Sequence, residues 1–172
     1  MKLFKKLQTK AGFSLIEILA VLFVVSTSLL GILSLINQNI QVQSINRNNL
    51  IASSLAQEGV ELIRQTRDSN WRAGVAYGTN LGTGSYRIDY RQDAPTPVST
   101  LSEAQIYLKN GFYVNNSGGE TGLTPTIFYR QVFLNKPSGY LGAPLQVRVL
   151  ISWTDRKHPY NYELRTLLFD WR

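Results

Sequence analysis

Between Phe13 and Ile36 lie 24 residues whose only ionisable side chain is Glu17. A helix rises about 1.5 Å per residue and needs roughly 20 apolar residues to cross the hydrocarbon core. The run is therefore long enough to span a bilayer. The apolar region of a secretory signal is only about 7 to 15 residues and ends in a small-residue A-x-A-like site. Nothing of that kind follows Ile36. The buried helix of a soluble protein is the bland alternative, but 18 or more nearly uncharged apolar residues argue for membrane. Lys2, Lys5, Lys6 and Lys10 precede the run and Arg47 is the first base after it. The positive-inside bias then puts the N-terminus in the cytoplasm and the bulk of the chain outside.

With 172 residues and 44% hydrophobic content, the chain has room for one modest folded domain plus an extra element. It has no cysteine, which excludes a disulfide scaffold, a thiolate metal site and a cysteine nucleophile. The formal charge is +7, yet four of those charges sit in the first twelve residues, which contain no acid. Without them, 14 basic residues face 11 acidic ones, or +3. Net charge is thus a poor argument for nucleic-acid binding.

An acid at the centre of a membrane-spanning helix costs about 2.5–3.5 kcal/mol on insertion scales, and less near an end where it reaches headgroups or water. Glu17 lies one turn beyond Phe13, so a single chain in a bilayer tolerates it. In a water-free assembly the same carboxylate needs a cation or donors. A cut before Phe13 would create one, a new α-amino group. The lysine-rich leader, Gly12, Phe13, Glu17 and the apolar stretch of AGFSLIEILAVLFVVSTSLLGILSLI resemble, in order and spacing, the class III signal and transmembrane helix of type IV pilins and of the pseudopilins of type II secretion systems. The match covers about 25 residues and rests on the whole pattern.

That resemblance implies cleavage between Gly12 and Phe13 by a prepilin peptidase and N-methylation of the new Phe13 amine. It also implies that Glu17 pairs with the terminal amine of a neighbouring subunit as the helix enters a filament. The partners implied are the prepilin peptidase, other pilin or pseudopilin subunits and the cytoplasmic membrane. The residues suit these roles. Gly12 lets a peptide bond enter a protease site, although a flexible joint before a helix would use glycine too. Phe13 also fits an interfacial aromatic belt, and Glu17 on its own reads as a charge snorkelling near a helix end.

Beyond Ile36 the helical period continues at higher polarity. Ile51/Ala52, Leu55/Ala56, Gly59/Val60 and Leu62/Ile63 recur on one face, while Glu58, Glu61 and Arg64 fall to the side. No proline interrupts Phe13 to Arg72, so one helix could run to about Arg67, ended by a turn at Asp68–Asn70. The small residues Ala52, Ser53, Ser54, Ala56 and Gly59 would admit a sheet closely. After a loop rich in Gly, Asn, Ser and Thr, YRIDYRQ (Tyr86 to Gln92) reads as the first strand, and DAPTPVSTLSE as an irregular connection. IYLKNGFYV carries Asn110-Gly111 between apolar runs, a hairpin signal. Thr126–Leu134, Leu145–Trp153 and Tyr162–Trp171 read as longer strands. The expected fold class is α+β, a long N-terminal helix packed on a C-terminal antiparallel sheet. Its expected divisions are a leader at 1–12, a transmembrane half at 13–36, an amphipathic half at 37–68 and a globular antiparallel region at 69–172.

The ending QVRVLISWTD, turn, YELRTLLFDWR and the segment SLAQEGVELIRQTRDSNW are similar to PilV-like minor pilins and to minor pseudopilins of the I type. Alternating strand aromatics are equally expected from core packing. Two departures stand out: there is no cysteine pair for the disulfide-closed C-terminal loop of many major pilins, and no proline within the helix.

Catalysis has little to draw on. His158, the sole histidine, sits in DRKHPY beside Asp155 and reads as a turn residue. No G-x-S-x-G, H-E-x-x-H or Walker loop is present. Asp89, Asp93 and Glu103 form no readable pair, and the calcium-loop spacing is missing at Asp68–Asn70. No catalytic, cofactor-binding or metal residue is assigned. Arg64, Arg67, Arg72, Arg87, Arg91, Arg130, Arg148, Arg156 and Lys157, interleaved with Trp71, Tyr86 and Tyr90, could contact nucleic acid. Solvated strand faces explain them more simply. The expectation is a minor pilin, not an enzyme. A minor pseudopilin, an uncleaved signal-anchored surface protein and a DNA-uptake pilin are the alternatives.

Overall fold

The computed structural model describes residues 12–116, 118, 120–137 and 143–170, which fall into two units, Met1–Ser44 and Ile45–Arg172. The expected leader lies outside the described residues except for Gly12. One helix, α1 (Leu15–Arg72), begins in the first unit and ends in the second. It is followed by β1 (Gly84–Arg87), β2 (Thr96–Pro97), a single 3-10 turn (Ser102–Ala104), β3 (Gln105–Lys109), β4 (Phe112–Asn115), β5 (Thr124–Asn135), β6 (Leu145–Asp155) and β7 (His158–Leu168). The fold is α+β, as expected.

From Leu15 to Ile36 α1 is apolar all round apart from Glu17 and the hydroxyls of Ser26, Thr27, Ser28 and Ser34. Its window of mean hydropathy 2.5 is wholly unburied and is long and apolar enough to cross a membrane. Ser26, Thr27 and Ser28 interrupt it without orphaning a polar group. Their hydroxyls donate back to the carbonyls of Leu22 (2.7 Å), Phe23 and Val24 (3.0 Å each), and Val24 again (2.7 Å).

In the second unit the helix becomes amphipathic and buries Ala52, Leu55, Ala56, Gly59, Val60, Leu62 and Ile63, the face that the periodicity marks out. Of the small residues, Ala52, Ala56 and Gly59 face the sheet; Ser53 and Ser54 instead donate to the Leu50 carbonyl. The helix does not stop near Arg67. Asp68, Ser69 and Asn70 continue it to Arg72, because the stop signal is Gly74, at φ 73°. There the Gly74 amide donates to the Trp71 carbonyl and the Val75 amide to the Asn70 carbonyl, 3.0 Å each, which is a Schellman closure.

All strand pairings are antiparallel. β5 is the hub: β3 and β1 share one of its edges, β6 takes the other, and β7 lies outside β6. β1 ends at Arg87, so the strand expected over Tyr86–Gln92 is cut short at Ile88, which is fully buried. Pro97 sits on the marginal edge strand β2, where a missing N–H costs least. Asn110 (φ 51°) and Gly111 (φ 85°) make the expected hairpin turn between β3 and β4. A second such turn, Arg156 (φ 48°) and Lys157 (φ 70°), joins β6 to β7 without glycine or asparagine. His158 is therefore not a turn residue but the first residue of β7, paired with Asp155.

Alternate residues of β5 and β6 point to the helix: Phe128, Val132 and Leu134 from one, Leu145, Val147, Val149, Ile151 and Trp153 from the other. Arg130 occupies the same inward row and is only 1% exposed. Its guanidinium donates to the Ile88 carbonyl (2.6 Å) and to the Leu55 carbonyl of α1 (3.2 Å), and it lies 3.0 Å from the Glu58 carboxylate. A buried cation needs such partners. Because three segments meet on one side chain, Arg130→Met should lower unfolding stability by about 2 kcal/mol, read by urea unfolding of the full chain in detergent micelles. A change within about 0.5 kcal/mol, the level of an ordinary surface substitution, would contradict that role.

Candidate functional site

Gly12, Phe13 and Glu17 lie together at the start of α1. Nothing stands within 4 Å of where a Cβ on Gly12 would lie, and Phe13 is 80% exposed. Ser14 precedes the first helical residue, and its carbonyl accepts from the amides of Glu17 (3.0 Å) and Ile18 (3.2 Å). Glu17 thus sits in the first turn, where the unpaired N–H groups of a helix favour negative charge. Phe13, Glu17, Ile18, Val21 and Leu22 line one shallow depression, and the exposed carboxylate is its only charged group. Glu17 makes no hydrogen bond or ion pair among the described residues, in contrast to the self-satisfied hydroxyls further along the helix. The arrangement can receive a cation and apolar surface at the same time.

On the second unit the acidic residues that form no pair in the sequence acquire partners in space. Asp89 is fully buried and accepts from the amides of Arg91 (2.9 Å) and Asn115 (2.8 Å) and from the Arg91 guanidinium (2.7 Å). Arg91 reaches on to Glu120 at 2.8 Å, and Lys109 joins Glu120 at 3.0 Å. Burial alone would raise the Asp89 carboxyl, but the Arg91 hydrogen bond and the two amides outweigh it and hold it below the usual carboxylate range. The sequence offered one weak clue to this knot, the i, i+2 spacing of Asp89 and Arg91; Glu120 and Asn115 come from distant loop and strand. Asp93 instead offers its carbonyl to Thr66 (3.3 Å), and Glu103 caps the Ser99 amide (3.0 Å).

The basic residues are largely engaged. Arg64 pairs with Glu61, Arg67 with Asp68 while lying 4.5 Å over the Trp71 ring, and Arg148 with Glu163. Arg130 is buried and not on a solvated strand face. Among the described residues no three His, Cys, Asp or Glu side chains gather as a metal site. Comparison with known proteins finds no matching family model, no matching curated protein and no matching solved structure.

The Asp89 knot sets a pH dependence. Its carboxyl titrates lower in the folded chain than the ordinary 3.9 or so of an unfolded one. The stability it contributes is therefore present above about pH 4 and is lost as pH falls through the folded value. Asp89→Asn should flatten the acid limb of stability against pH between about pH 5 and 2, leaving the smaller part due to carboxylates such as Glu163, also held low by Arg165. An acid limb identical to that of the native chain would contradict this.

Proposed function

We propose that this chain is a prepilin-like structural subunit, a minor pilin, cut between Gly12 and Phe13 and built into a type IV pilus through its N-terminal helix. The observation that carries the reading is Glu17: an exposed carboxylate without a partner among the described residues, one turn from Phe13, at the head of a helix long and apolar enough to span a membrane. Cleavage before Phe13 would generate an amine that ordinarily titrates near pH 8. N-methylation would keep it cationic. When apolar helix faces pack and expel water, an isolated carboxylate and an isolated ammonium are each costly, and the two offset each other only as a pair.

In this reading the membrane stage comes first, with the N-terminus inside and the Ile45–Arg172 unit outside. Assembly follows, and its chemistry is non-covalent. Ser26, Thr27 and Ser28 would enter lipid or a filament core without demanding partners, whereas Glu17 would select for one. The work of the exterior unit is to be carried and presented. A minor pseudopilin would use the same N-terminal chemistry in a secretion system.

The test is incorporation. In cells with a complete pilus assembly system, Glu17→Ala and Glu17→Gln should reach the membrane and be processed at native levels. Their amount in sheared filaments should fall roughly 100-fold, the equivalent of about 3 kcal/mol for leaving one member of a buried ion pair alone. Native-level incorporation of both variants would overturn the assembly role.

A further inference from the structure

β7 (His158–Leu168) is hydrogen-bonded to β6 and, among the described residues, to no other strand. It runs its full length without a register shift. The residues that flank a two-residue hairpin turn exchange both of their backbone hydrogen bonds. His158 and every second residue to Leu168 therefore turn their backbone polar groups toward β6. Pro159, Asn161, Glu163, Arg165 and Leu167 turn theirs outward. Proteins blunt such an edge with charged side chains, lysine above all, with proline, a bulge or an inward-pointing charge. β7 has no lysine and no bulge, and Pro159, next to the turn, withholds one N–H. The strand's outward charges, Glu163 and Arg165, are of opposite sign and can pair across an edge, while the row alternating with them runs His158, Tyr160, Tyr162, Leu164, Thr166 and Leu168.

The outer face carries an imbalance. Arg148 and Arg165 stand directly opposite each other on β6 and β7, an arrangement of like charges that weakens a sheet. Glu163 serves both, 3.3 Å from Arg148 and also paired with Arg165. One carboxylate thus answers two guanidinium groups.

We propose that this edge pairs antiparallel with the same edge of a second copy of the chain, about a two-fold axis at Leu164. In that register Glu163 faces Arg165 of the second copy and Arg165 faces its Glu163, so unlike charges stand opposite at both cross-edge positions, while the ratio of two guanidinium groups to one carboxylate is unchanged. Moving the axis to Glu163 would oppose two glutamates, and moving it to Arg165 would oppose two arginines. On the inner face Leu164 meets its own counterpart, Tyr162 meets Thr166 and Tyr160 meets Leu168. Tyr160, Tyr162 and Leu164 are half-buried against the core, and the pairing completes their cover. The ladder would use the outward N–H and C=O groups of Asn161, Glu163, Arg165 and Leu167, which otherwise bond to water.

An axis of this kind stands perpendicular to the sheet and reverses every direction lying in it. The segments Ile45–Arg72 of the two copies, each packed on its own sheet, then run in opposite directions. The contact is made by the Ile45–Arg172 units alone and does not rest on the filament reading.

The chain has no cysteine, so introduced thiols report cleanly. Full-length chains in separate detergent micelles are mixed and oxidised mildly. Leu164→Cys should give a disulfide-linked dimer. Tyr162→Cys alone and Thr166→Cys alone should not, whereas a mixture of those two should, which keeps the register test independent of any damage from replacing Leu164. Glu163→Arg and Arg165→Glu should each weaken dimerisation, followed by sedimentation, roughly tenfold, and mixing the two variants should restore it as a heterodimer. A chain that stays monomeric at every concentration overturns the proposal. So does association indifferent to both charge reversals, or cross-linking equally fast at all three positions.

Discussion

A single buried guanidinium sets how helix and sheet meet. Arg130 projects from the middle of β5 and binds the Leu55 carbonyl and Glu58 on α1 and the Ile88 carbonyl beyond β1. The contact is close enough that a Cβ on Gly59 would stand 3.1 Å from a Val149 methyl and 3.3 Å from the Arg130 side chain. Apolar packing of Leu55, Ile63, Val132 and Val149 drives the association, but it is non-directional. The cation supplies direction, because sliding the helix by one turn would take Glu58 away from it and leave the buried charge without its carboxylate.

The same helix must satisfy two solvents. Its first part is long and apolar enough to cross a membrane, and in such surroundings a polar group must be answered internally or find a partner elsewhere. The three hydroxyls at 26–28 are answered by carbonyls one turn back. Glu17 is not, among the described residues: a carboxylate only accepts, so it cannot bond to a carbonyl one turn back as a hydroxyl does. This contrast between two kinds of polar residue in one apolar run is what makes the proposed pairing with a terminal amine chemically economical. Polarity rises from Asn37, and from Ala52 one face of the helix is buried against the sheet while the other stays exposed.

Period and turn chemistry made most of this legible from sequence. The helix face from Ala52 to Ile63 and the Asn110-Gly111 hairpin follow from local rules and stand as expected. The misread positions share a cause, that a local signal was weighed without its competitor. Asp68–Asn70 looks like a helix end only until Gly74 is recognised as the stop. Arg156-Lys157 adopts a left-handed turn because eleven paired positions in β6 and β7 outweigh the strain on two residues. Arg130 could have been found, since it falls on the inward row of TIFYRQVFL with Phe128, Val132 and Leu134. The Asp89, Arg91 and Glu120 knot could not, because loop closure brings its members together. At the N-terminus, Gly12, Phe13 and Glu17 are visible as a pattern, and the fold adds that Glu17 is exposed and makes no hydrogen bond or ion pair among the described residues.

The proposed processing turns on one bond, Gly12–Phe13, which is tested by the intact mass and N-terminal sequence of the full chain expressed with and without a prepilin peptidase. A product that begins at an N-methylated Phe13 is expected only when the peptidase is present. A chain that keeps Met1 to Gly12 beside an active peptidase would contradict it and leave a simple membrane anchor.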